Sequence, residues 1–81
     1  MNIYLLTQES ETGYDTYDSA VVIARSKAAA KKIHPRGGLA EWKNRYSCWA
    51  TSPDQVTATL IGTAAVDRTN GEVVCASFNA G

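Results

Sequence analysis

The chain predicts an α+β domain: an antiparallel sheet of four or five strands with one clear short helix, in the order ββα(β)ββ. Three observations carry this. Short runs rich in Val, Ile, Thr and Tyr alternate with turn signals at both ends of the chain. Between them lies one alanine- and lysine-rich stretch, Lys27 to Ile33, behind a serine. The length, 81 residues, allows a single domain with a thin core.

The elements follow in order. Ile3-Tyr4-Leu5-Leu6 within residues 2–8 is an apolar run that ends in polar residues, as a first strand does. Glu9 to Gly13 has turn composition, and Tyr14 to Arg25 is a second strand that pairs with the first as a hairpin. Ser26 is an N-cap, its hydroxyl accepting from a free amide of the first turn. On the helix Ala29, Ala30 and Ile33 form a narrow apolar stripe, with Lys27, Lys31 and His34 on another face. Pro35 and Gly37-Gly38 stop it, leaving His34 as a solvated residue at the helix end.

Residues 39–55 are read as a short helical turn from Leu39 to about Asn44, then an irregular strand, then a turn at Ser52-Pro53-Asp54. Leu39, Trp42, Tyr46 and Trp49 recur at helical spacing, so helix and strand both remain open for 39–51. Val56 to Val66 and Glu72 to Asn79 are strands, and Asn70-Gly71 between them favours a tight hairpin. With that pairing, Val56, Ala58, Leu60, Ala64, Val66, Val73 and Cys75 share one face. Ile61, Ala65, Val74, Ala76 and Phe78 share the other. Both faces are apolar, and one short helix covers only one of them. The second is left for the Trp42–Trp49 segment or for another molecule.

Formal charge is zero but unevenly placed: −4 over residues 1–24, +6 over 25–45 and −2 over the rest. A neutral total argues against a dedicated nucleic-acid binder, although Arg25, Lys27, Lys31, Lys32 and Arg36 could follow phosphates and Tyr46, Trp42 and Trp49 could stack bases. The two cysteines, Cys48 and Cys75, and the absence of a signal-like start point to reduced thiols and a cytoplasmic chain. No nucleophile–base arrangement, zinc-ligand spacing or glycine-rich phosphate loop is present, so an enzyme is not expected, nor a cofactor or a metal.

Tyr14-Asp15-Thr16-Tyr17-Asp18 interleaves aromatic and acidic residues, a composition that suits either a protein-binding hot spot or the start of an ordinary strand. The expected partner-contacting residues are therefore Tyr14, Asp15, Tyr17, Asp18, Lys27, Lys31, Trp42 and Trp49.

Three stretches carry a resemblance: Tyr17-Asp18-Ser19-Ala20-Val21-Val22, Lys32-Ile33-His34-Pro35 and Ala76-Ser77-Phe78-Asn79-Ala80-Gly81. In these the chain resembles small accessory proteins encoded by bacteriophages and prophages, a group that includes stoichiometric antagonists of host defence such as anti-CRISPR proteins. The resemblance carries no active-site residue across. It implies a non-enzymatic protein acting in the cytoplasm of the host bacterial cell by occupying the surface of a host protein, and two-sided apolarity adds a homodimer as an expectation. Zero net charge departs from strongly acidic DNA mimics. The alternatives are a nucleic-acid-binding module using the basic helix 27–34, and a small-ligand-binding protein with a pocket between Trp42, Trp49 and the sheet. No membrane association is expected.

Overall fold

β1 (Asn2–Gln8) and β2 (Thr16–Ala24) form the expected antiparallel hairpin, with Leu6 opposite Ala20 and Tyr4 opposite Val22. These strands, in a computed structural model that describes residues 1–9, 16–36, 48–50, 52–65 and 67–79, are the centre of a four-stranded antiparallel sheet. Its outer strands are β3 (Val56–Thr63) beside β1 and β4 (Val73–Asn79) beside β2, giving the order β3-β1-β2-β4. The order among the described residues is thus two strands, helix α1 (Lys27–Lys31), a 3-10 turn (Pro53–Gln55) and two strands.

The expected β3–β4 hairpin does not form, because the connection between these strands crosses the sheet instead of turning back. Ala64 N donates to Met1 O (2.8 Å) beside β1. Further on, Asn70 Oδ1 accepts from Arg25 N (3.0 Å) and Gly71 N donates to Ile23 O (2.7 Å) at the end of β2. Gly71 has φ 91°, a conformation that costs a residue with Cβ free energy. The Asn-Gly pair is thus a real turn, spent on docking the crossover rather than on closing a hairpin. An Arg68–Glu72 ion pair (2.8 Å) spans the same connection.

Ser26 caps α1 as expected, its Oγ accepting from Ala29 N at 3.2 Å. The helix is shorter than Lys27 to Ile33. Lys32 N and Ile33 N bond three residues back, to Ala29 O and Ala30 O, so the last turn tightens before Pro35.

One face of the sheet carries the core. Tyr4 and Leu6 of β1, Ala20, Val22 and Ala24 of β2, and Val56 and Ala58 of β3 are buried there, together with Ala30 of α1, Trp49 and Ala50. Many of these are alanines, which leave room for α1 to approach and for Trp49, the largest fully buried side chain among the described residues. Trp49 therefore packs on the same face as the helix, and does not cover the opposite one. His34 is also inside, 3% exposed, with Nδ1 accepting from Arg36 N at 3.1 Å. The solvated helix-end histidine expected from sequence is corrected accordingly: the turn at Pro35 folds the ring inward. Residues 48–50 are not a strand. The expected helix or strand elsewhere in 39–51 lies outside the described residues.

Candidate functional site

The sheet has a second face, and its strand register defines it. Ile3 stands opposite Ile23, Leu5 opposite Val21 and Thr7 opposite Ser19. Thr59 and Thr57 of β3 continue the Leu5 and Thr7 rows, and Cys75 and Ser77 of β4 continue the Val21 and Ser19 rows. Ile3, Leu5 and Val21 are half-buried, whereas Thr57, Thr59, Cys75 and Ser77 are exposed. Among the described residues no element is packed across this face. Only at the end that the β3–β4 connection crosses is a large side chain buried, Ile23 at 2% exposure and outside the main core cluster. The result is an apolar strip bordered by threonine, serine and one free thiol, with no charged side chain within it. A shallow depression of about 160 Å³ between β2 and β4 involves Val21, Cys75 and Ser77.

Both sheet edges add apolar surface. Leu60 (58%) and Ile61 (53%) of β3 and Val74 (48%) and Phe78 (42%) of β4 are exposed. Three register shifts place them. Ile61 is the extra residue of a bulge against β1, Val74 of one against β2, and Asp18 of one against β4. The Asp18 bulge is the structural reason why Tyr17 packs against the core cluster while Asp18 is exposed. Tyr17 meets Phe78 ring to ring, centroids 4.8 Å apart at 51°. The face assignments expected from a hairpin parity are corrected here. Val73, Ala76 and Phe78 lie opposite Val22, Ala20 and Tyr17 on the helix side, and Cys75 lies on the open side.

The residues expected to touch a partner scatter. Tyr17 is half-buried and Asp18 exposed at one end of β2; Lys27 is exposed and Lys31 half-buried on α1, across the sheet from the open strip. Trp49 is fully buried, so it is a core residue and not a surface contact. Tyr14, Asp15 and Trp42 lie outside the described residues. What residue-by-residue reading missed is the open strip itself, Leu5 and Val21 above all. Its signal was the two-sided apolar pattern of the strands.

A polar depression of about 440 Å³ lies at the other end of the sheet, lined by Thr7, Gln8, Glu9, Asp18, Gln55 and Thr57. Gln8 is held there by Nε2 donating to Tyr17 O at 3.0 Å. Among the described residues no three His, Cys, Asp or Glu side chains gather in a way that could hold a metal ion. Cys48 is buried and Cys75 exposed, both as free thiols. No helix among the described residues is long and apolar enough to cross a membrane. No protein-family model, curated protein or solved structure matches the chain.

Proposed function

We propose that this chain is a non-enzymatic binding protein that acts stoichiometrically by occupying the surface of another protein. The observation that carries this reading is the open sheet face, where Ile3, Leu5 and Val21 form an apolar strip that no described element covers. Contiguous apolar surface on a small domain marks an interaction site more often than scattered exposed side chains do. The resemblance to phage-encoded accessory proteins supports a partner in the bacterial host, such as a component of a CRISPR-Cas defence system, and action in the host cytoplasm. The test is a purified mixture of the chain and its captured partner. The expected result is a complex of fixed ratio that persists at about 1 M salt, where screening acts within about 3 Å and an apolar contact survives. Inhibition of the partner by far less than an equal amount of this chain would contradict the reading, because it would indicate turnover.

One observation favours a second reading, a nucleic-acid-binding module. Arg25, Lys27, Lys32 and Arg36 are all exposed around α1, and no acidic residue lies between positions 25 and 36. Binding of this kind weakens steeply with salt and is lost in a Lys27→Glu, Lys31→Glu, Lys32→Glu triple variant.

A further inference from the structure

We propose that β4 is a self-pairing edge: two copies of this chain join antiparallel along Val73–Asn79, with Ala76 on the two-fold axis, into one eight-stranded sheet. This stands apart from the open face and does not depend on a host partner.

An edge strand presents a row of unpaired backbone donors and acceptors that only another strand matches. Natural edges are guarded by lysine, proline or an inward-pointing charge, and Val73–Asn79 contains none of these. Residues 74–78 are exposed without interruption. The helix lies mainly over β3, β2 and β1, away from the β4 edge.

The choice of a second copy as occupant comes from the side-chain pattern. Directly opposite residues of an antiparallel pair share a face, and a two-fold axis normal to the sheet keeps each face on its own side. The two opposed positions must therefore have the same parity. Centred on Ala76, Val74 meets Phe78 of the second copy, Cys75 meets Ser77, and Ala76 meets itself. Ala76 and Phe78 lie on the helix side, and alternation from Cys75 puts the bulge residue Val74 there too, so both copies contribute to one apolar cluster backed by the Tyr17 ring. The small Cys75 and Ser77 meet on the open side. Centring on Cys75 would set Phe78 against the charged Glu72, and centring on Ser77 would separate Val74 from Phe78. β3 and β4 each carry one bulge, at Ile61 and Val74, but in β3 the bulge adjoins Gly62, which has no side chain to pack and weakens that edge further. A single seven-residue edge buries less than the roughly 1,200 Å² of a standard stable interface, so the dimer is reversible and concentration-dependent.

Sedimentation velocity over a concentration series, with two variants, tests this. The expected result is a monomer at low concentration passing to a dimer and to nothing larger. Val74→Lys, at an exposed position, should keep the native circular dichroism and weaken dimerisation by about tenfold or more, placing a lysine against each Phe78. In a Cys75→Ser background, Ala76→Cys should oxidise to a disulfide-linked dimer, because position 76 faces its own copy. Thr59→Cys on β3 in the same background should not. A monomer at every concentration, an unaffected Val74→Lys variant, cross-linking through position 59 but not 76, or an open series of oligomers from β3-to-β4 contacts would each overturn the proposal.

Discussion

Leu5 and Leu6 are adjacent in sequence and identical in chemistry, yet they should respond very differently to truncation. Leu6 is fully buried on the core face, opposite Ala20 and Ala58. Replacing a buried leucine with alanine costs about 2–5 kcal/mol, rising with the cavity left behind. Its alanine neighbours are too short to fill that space, so Leu6→Ala belongs near the upper end, about 4 kcal/mol. Leu5 is half-buried on the open face, opposite Val21 and Thr59. Complete burial of a leucine is worth about 1.5–3 kcal/mol, so half of it is about 1 kcal/mol, and water takes the vacated space. A domain of 81 residues has about 4–12 kcal/mol in total, so Leu5→Ala stays folded and Leu6→Ala approaches global unfolding. Urea unfolding followed by tryptophan fluorescence at low protein concentration measures both. Equal costs, or a larger cost at Leu5, would refute the assignment of the two faces.

Other outcomes follow from single contacts. Ser26→Ala removes the hydroxyl that accepts from Ala29 N and should cost about 1 kcal/mol in the same unfolding assay. Gly71→Ala keeps space around Cβ but forces a positive φ on alanine, so it should cost about 1–2 kcal/mol through backbone strain alone. Arg68→Ala breaks an exposed ion pair and should change stability by less than about 1 kcal/mol. A thiol reagent should label Cys75 at once in the native protein and reach Cys48 only on unfolding, as mass mapping of the labelled peptides would show.

Local signals were readable wherever their partners were local too. The β1–β2 hairpin and the Ser26 cap follow from neighbouring residues, and both are present. Asn70-Gly71 shows the limit. The pair signals a turn, but nothing in it says that Asn70 serves Arg25 N, 45 positions away. Alternation within a strand sorts its side chains into two sets without telling which strand lies beside it, and each bulge reverses the sorting beyond it. For this reason Tyr17 packs on the core while Asp18 beside it is exposed, and Ala76 and Phe78 join the core side. Trp49 and His34 are buried by tertiary packing that residue spacing does not encode. The open strip was legible only indirectly, as more apolar strand surface than one short helix could cover.

If the proposed binding runs through the open face of the sheet, one substitution at its centre should remove it. Val21 is half-buried at the middle of that face, and a lysine there can lay its stem along the strip while its charge reaches water. Binding of a captured partner should be measured by calorimetry for the native chain, for Val21→Lys and for Lys27→Glu on the helix side. Val21→Lys should retain the native circular dichroism and lose binding by about a hundredfold, roughly 2.7 kcal/mol, while Lys27→Glu should bind as the native chain does. Undiminished binding by Val21→Lys, together with loss in Lys27→Glu, would contradict it and move the working surface to the basic helix.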